Sequence, residues 1–228
     1  MKKIILLLFA LVAFSCSKST EKQADALQEA PTQVLDDLLS LQDVEGIVQK
    51  YGKENIIQDT AIVMSDDTLR GSILFPNSEQ TVFVFYHKGQ ISDVSIQGNS
   101  SKWITKSGLY LGLPLQEVEK LNGKNFTISG FNWLHGGTVV SWEGGKLGGD
   151  KLSHVARFSN AANKHEGMSD ADYQKISGEA EFDVRHPSIQ FLNPTLDYLS
   201  IVLPYIPEKE EGIKMGKTIE KSQIPPKY

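Results

Sequence analysis

The stretch TVFVFYH, Thr81 to His87, decides the fold. Its residues alternate as in a strand, with Val82, Val84 and Tyr86 on one face and Phe83 and Phe85 on the other. Lys88-Gly89 then supplies a turn, and Ile91–Gln97 returns with Ile91, Val94 and Ile96 as its apolar positions. Working upstream, Leu69–Phe75 is a further strand, closed by Pro76-Asn77, and Ser65-Asp66-Asp67-Thr68 reads as a turn. Ile56–Met64, rich in β-branched residues, precedes it. Four consecutive strands joined by short turns spell an antiparallel meander.

The helical signal lies before this meander. In VLDDLLSLQDVEGIVQKYG, residues 34–52, the apolar side chains follow the i, i+3, i+4 spacing of an amphipathic helix. The pattern divides into a turn of helix at 34–39 and a helix at 41–51, stopped by Gly52. After the meander the chain becomes glycine-rich: twelve of its 19 glycines fall between Gly89 and Gly149. Within that region Thr138–Trp142 reads as a strand between the turns Gly136-Gly137 and Gly144-Gly145. Leu152–Phe158, Gly178–Val184 and Tyr198–Leu203 are further strands. Residues 159–175 read as an excursion loop with a helical turn at SDADYQK, and His186-Pro187 and Asn193-Pro194 read as turns. The expectation is one α+β domain over 34–203, predominantly antiparallel sheet with two short helical elements.

Leu41-Gln42-Asp43-Val44-Glu45 recurs as Leu115-Gln116-Glu117-Val118-Glu119, and each copy leads to a Gly-Lys pair and a strand, near Ile56 and Phe126. A tandem repeat of one helix-then-sheet module is therefore expected. The segment opening at Lys106-Ser107-Gly108, with Leu109-Tyr110-Leu111-Gly112 before the helix, resembles the first element of small α/β modules. Such modules occur in outer-membrane assembly lipoproteins and in the β-lactamase inhibitor protein fold. The resemblance spans 106–128 and, more faintly, 38–60, and it implies a short helical pair packed on an antiparallel sheet. It carries no activity.

The N-terminus begins Met1-Lys2-Lys3, continues through an apolar run from Ile4 to Phe14, and reaches Ser15-Cys16. A basic start followed by a short apolar run is the pattern of an export signal and too short for a stable membrane span. Ala13-Phe14-Ser15-Cys16 resembles the lipobox of bacterial lipoproteins, with Ala13 where leucine is usual and a bulky Phe14. The resemblance implies cleavage before Cys16, acylation of its thiol and membrane anchorage by several acyl chains. Ser17 in place of aspartate implies the outer membrane of the cell envelope. Residues 1–15 are thus expected as signal peptide, 16–33 as a flexible tether poor in core residues, and 204–228 as a charged, proline-containing mobile tail. Cys16 is the single cysteine of the 228 residues, so no intramolecular disulfide framework is available.

Loss of Lys2 and Lys3 leaves 21 basic against 28 acidic side chains, a net charge of −7. With no basic cluster, the composition points away from nucleic acid. The five histidines, at 87, 135, 154, 165 and 186, show no metal-ligand spacing. His135-Gly136-Gly137 superficially matches the HGG of esterase oxyanion holes, but no Gly-x-Ser-x-Gly elbow accompanies it. The carboxylates Asp66/Asp67, Asp170/Asp172 and Glu179/Glu181 matter for glycosidase chemistry only at a separation that the fold must set. Among the aromatics, Trp103, Phe131, Trp133 and Trp142 are either core or a ligand platform, and core is the favoured reading. Trp103, Trp133, His135 and Trp142 are the candidate binding residues. No cofactor and no metal is implied. The expected role is non-enzymatic: a membrane-anchored binding module with an envelope protein or glycan as partner. The alternative is an envelope hydrolase on glycans or peptides, using carboxylates that the sequence does not pair.

Overall fold

The computed structural model describes residues 31–64, 67–149, 152–159 and 167–203. The signal segment, Cys16, most of the expected tether and the 204–228 tail lie outside these residues, as does His165. In chain order the elements are β1 Gln33–Val34, α1 Asp36–Leu39, α2 Val44–Tyr51, β2 Ile56–Met64, β3 Asp67–Leu74, β4 Val82–His87, β5 Gln90–Gln97 and β6 Trp103–Ile104. There follow α3 Leu115–Asn122, β7 Thr127–Ser129, β8 Val139–Ser141, β9 Ser153–Ser159, α4 Asp170–Gln174, β10 Glu181–Asp183, α5 Pro187–Leu192 and β11 Thr195–Val202. This is an α+β fold built on antiparallel sheet.

Six strands form one sheet in the order β2-β3-β4-β5-β11-β9, and every neighbour pair is antiparallel. The meander of the sequence reading is its first four strands. A smaller sheet, β10-β7-β8, adjoins it through a bridge between Thr138 and Arg157 of β9. Leu74, Val82, Val84, Val94, Ile96 and Leu199 point to one face of the large sheet and are essentially inaccessible. Leu38 of α1, Ile47 of α2, Leu115 and Val118 of α3 and Ile189 of α5 join the same buried cluster. Burying a side chain of this size stabilises by roughly 1.5–3 kcal/mol, so this helix-covered face holds the molecule together.

Glycine ends α2 and α3, and α2 starts at Val44 rather than at the expected residue 41. The Asp43 carboxylate caps α2 by accepting from the Gly46 amide at 2.9 Å, and Gly52 ends it. Gly123 ends α3 in the left-handed conformation. Each then leads into antiparallel strands, α2 into β2–β5 and α3 into β7, β8, β9 and β11, and the last strands of the two halves, β5 and β11, pair. The echoed pentads are nevertheless out of step with this order. Leu115 is the first residue of α3, whereas the matching Leu41 precedes α2, which begins at Val44.

Three elements depart from the sequence reading. Gln33, placed in the tether, pairs with Trp103 in a short parallel ladder, its amide donating to Lys102 O at 3.0 Å. Asp67 and Thr68, read as turn, are already in β3. His186-Pro187 and Asn193-Pro194, read as two turns, open and close α5: the His186 ring accepts from the Ser188 amide, Pro187 stands in the first turn, and Asn193 is left-handed. Proline at a helix start forfeits no intrahelical bond, so the same residues punctuate either structure.

Candidate functional site

The second face of the large sheet carries the candidate site. Cross-strand register places Ile57, Ile73, Phe83, Ser95, Ser200 and Val155 in one row across it from β2 to β9. Phe85 and Asp93 stand in the row on one side, and Gln97, Tyr198 and Arg157 in the row on the other. Ile57 and Val155 are 45% and 37% exposed, and Phe83, Phe85 and Tyr198 are half-buried. A strand that is apolar on both faces normally has both covered. Here the helices cover one; on the other, Ser95 and Ser200 at the centre are buried, and the flanks that carry Ile57 and Val155 are open between two raised edges.

The first edge is the β2–β3 hairpin. Only Gly71–Leu74 of β3 pair with β4, so the rest of the hairpin runs on as an arm. Met64, from the arm, shares a hollow with Gln97, Val155, Arg157 and Tyr198, so the arm crosses above the sheet. Ile62 closes the elbow and is 3% exposed. A Cβ at Gly71 would stand 2.9 Å from Ile62 Cδ1 and 2.5 Å from the Val84 carbonyl, so the absent side chain is what lets the arm fold back.

The second edge is the 131–137 loop, which contains two of the expected binding residues. Trp133 is half-buried, with Nε1 donating to Gly130 O at 2.8 Å, and its ring meets that of exposed His135 edge-on at 5.2 Å. Between them Leu134 is 52% exposed. The Ser129 hydroxyl donates to His135 O at 2.6 Å and accepts from the Thr138 amide at 3.1 Å, which fixes both ends of the loop. Gly137 sits at φ +75°, and a Cβ there would lie 2.0 Å from the Phe158 carbonyl. The loop is thereby pinned to β9.

Trp103 and Trp142, the other two expected binding residues, are core. They are 1% and 8% exposed, and their indole N–H groups donate to Gln80 O and His154 O, each at 2.9 Å. Trp142 packs on Phe126 with ring centroids 5.0 Å apart. Phe131, at 2%, is core as well. A buried indole needs one partner for its single donor, and these backbone carbonyls leave nothing over for a ligand.

Between the edges lies a trough. A hollow of about 400 Å³ is bounded by Met64, Leu134, His135, Val155, Arg157 and Tyr198. Leu134 and Arg157 separate it from a smaller one of about 200 Å³ against Trp133 and Asp197. Gln97 joins it to a shallower one of about 690 Å³ over Ile57, Ile73 and Phe83. Arg157 donates twice to the Asp197 carboxylate, at 2.9 and 3.1 Å, and its guanidinium lies 5.8 Å from the Tyr198 ring centroid. Its charge is therefore balanced internally. Burial pushes the Asp93 carboxyl up from the usual range, against the lowering effect of the Ser200 hydroxyl, which donates to it at 2.7 Å. Burial also pushes the Tyr198 phenol up, and the Asp93 charge adds to this.

The trough residues come from distant parts of the chain, and Met64, Leu134, Val155, Arg157 and Tyr198 were not singled out by motif. Alternation in β9 marks Val155 and Arg157 as sharing a face, but not which face is open. Among the described residues, no three His, Cys, Asp or Glu side chains converge as metal ligands, and no helix is long and apolar enough to cross a membrane. Of the carboxylates considered for hydrolysis, Asp66 lies outside the described residues, Asp172 accepts from Lys175 Nζ at 2.8 Å, and Glu179 and Glu181 are exposed. Comparison with family models, curated proteins and solved structures found no match for this chain.

Proposed function

We propose that the protein is a lipid-anchored module of the cell envelope that binds a protein partner through the open face of its large sheet. The observation that carries this reading is the trough itself: a hollow lined by Met64, Leu134 and Val155 on the sheet face that the helices do not cover, framed by an arm that folds back at Gly71 and a loop that Phe158 and Ser129 hold by hydrogen bonds. Contiguous exposed apolar surface on a folded domain marks a site of association. The most exposed apolar side chains, Ile57, Leu134 and Val155, are aliphatic, and the aromatics Phe83, Trp133 and Tyr198 are half-buried, which suits an apolar protein segment better than a sugar ring, whose usual platform is an exposed flat aromatic face. Arg157, paired with Asp197, leaves no unbalanced cation in the trough for an anionic occupant. Anchorage at Cys16 comes from the lipobox resemblance and would keep the protein at the membrane.

The test introduces Leu134→Glu together with Val155→Glu into the anchored protein. An unpaired carboxylate in a closed apolar interface costs several kcal/mol, and each 1.4 kcal/mol is tenfold in affinity. Recovery of a specific crosslinked partner should fall by more than about tenfold. Phe191→Glu, on the equally exposed surface of α5, should leave recovery unchanged. Equal recovery from the double variant and the parent would exclude the trough as the binding surface.

A further inference from the structure

Away from the trough, the loop after β6 brings a hydroxyl against an imidazole. Ser107 Oγ lies 3.0 Å from His154 Nε2, and Thr105 Oγ1 lies 2.7 Å from Ser107 Oγ. His154 Nδ1 is 2.9 Å from the Leu147 carbonyl oxygen. These contacts fix one another's direction. A carbonyl oxygen only accepts, so Nδ1 carries the hydrogen, and in the neutral ring Nε2 then presents its lone pair. The Ser107 hydroxyl must donate to Nε2. Having spent its hydrogen, Ser107 Oγ must accept from the Thr105 hydroxyl, whose oxygen in turn accepts from the Leu109 amide at 2.9 Å.

A serine donating to the unprotonated nitrogen of a histidine, with the other ring nitrogen held by an acceptor, is the arrangement of nucleophile, general base and orienting group. Here a peptide carbonyl stands in the orienting position. The surroundings suit the roles. His154 is 9% exposed, lies in β9 opposite Ile201, and has its own carbonyl tied to the Trp142 indole. Ser107 itself is half-buried, less enclosed than its partner.

We propose that Ser107 is a nucleophile activated by His154 and that it accepts the acyl group of an ester or similarly activated acyl donor. Ser107 Oγ bonds to the acyl carbon as its proton passes to His154 Nε2. The bond from that carbon to the leaving oxygen breaks with its electron pair on the oxygen, which takes the proton from Nε2. Water, deprotonated by Nε2, then cleaves the Ser107 ester and releases the carboxylic acid, restoring both residues. The orienting group is a dipole rather than a charge, so it sets the tautomer but stabilises the imidazolium less than a carboxylate would. The site is separate from the trough, and its chemistry stands or falls independently of the binding role.

The full-length protein, in detergent, is exposed to a biotinylated fluorophosphonate, which phosphonylates activated serines with loss of fluoride, and the modified residue is located by mass spectrometry. A positioned general base contributes about 10²–10⁴-fold, so Ser107 in the folded chain should label at least on the order of 100-fold faster than in the urea-unfolded chain. Ser107→Ala should remove the label, and His154→Gln should lower its rate by a similar factor. Because His154 is buried, that variant's thermal transition is measured alongside. If it does not fold, Ser107 is compared with the half-buried Ser177 and Ser188 of the folded parent, over which it should be labelled by the same factor. Labelling of Ser107 no faster than of those serines, or than in the unfolded chain, would overturn the proposal and leave the relay as a joint between the 105–109 loop and β9.

Discussion

Gly137→Ala is the sharpest stability prediction, because two separable effects meet at that residue. Its φ of +75° is one that a residue with a Cβ adopts only at a cost of about 1–2 kcal/mol. Independently, the new methyl would stand 2.0 Å from the carbonyl oxygen of Phe158, the residue whose amide donates to Gly137 O at 2.9 Å and so ties the loop to β9. Relieving that overlap means moving backbone, and overpacking of this kind typically costs about 1–3 kcal/mol more. Gly178 supplies the matched control: it sits at φ +89° with nothing within 4 Å of its missing Cβ, so Gly178→Ala carries the conformational cost alone. The stabilisation that alanine brings by restricting the unfolded chain is common to both variants and cancels. Chemical denaturation of parent and variants should therefore show Gly137→Ala less stable than Gly178→Ala by about 1–3 kcal/mol, or roughly 2–12 °C in Tm for a domain of this size. Equal losses at the two sites would mean that the loop is not pinned to β9, and the trough would lose its second edge.

Two further outcomes follow from the same structure and a third from the lipobox resemblance. Gly71→Ala pushes a methyl into the elbow of the arm, 2.5 Å from the Val84 carbonyl, and should cost about 1–3 kcal/mol and expose the 61–64 amides to faster hydrogen exchange. Asp93 has its folded pKa raised by burial, so the stability of its neutral form is fully present below the ordinary carboxylate range and is lost as pH rises through the raised value. Asp93→Asn should thus be stabilising near neutral pH, with the difference from the parent vanishing in acid melts. Cys16→Ala should release the protein from the membrane fraction, and a variant that still sediments with membranes would remove the case for acylation.

The parts of the fold that were legible are those where a local pattern has one structural meaning. Val82, Val84 and Tyr86 against Phe83 and Phe85 admit only a strand, and the amphipathic run stopped by Gly52 admits only a helix, though the pattern does not identify the Asp43 cap and starts the helix three residues early. Punctuation by proline and asparagine was ambiguous, and at α5 it concealed a helix of six residues. The site was harder to read for a different reason. Phe83 and Phe85 announce a second apolar face, but whether anything covers it depends on how far the arm and the 131–137 loop reach, and Gly71 and Gly137 decide that through contacts with residues distant in sequence. The tryptophans divided on the same ground: Trp103 and Trp142 found backbone acceptors inside the core, while Trp133 and His135 sit on the loop that borders the trough. The Ser107–His154 pair lay hidden because the two residues are joined only by the packing of β9 under the 105–109 loop.

Site-directed photocrosslinking on the membrane-anchored protein tests the binding role most directly. A photoreactive residue placed in turn at Ile57, Leu134 and Val155 samples the length of the trough, and one at Phe191 samples an equally exposed apolar position on α5. The trough positions should all capture the same protein, and Phe191 should not capture it. Capture of that protein from Phe191 alone, or of no common protein from the three trough positions, would contradict the assignment of the open sheet face as the binding surface.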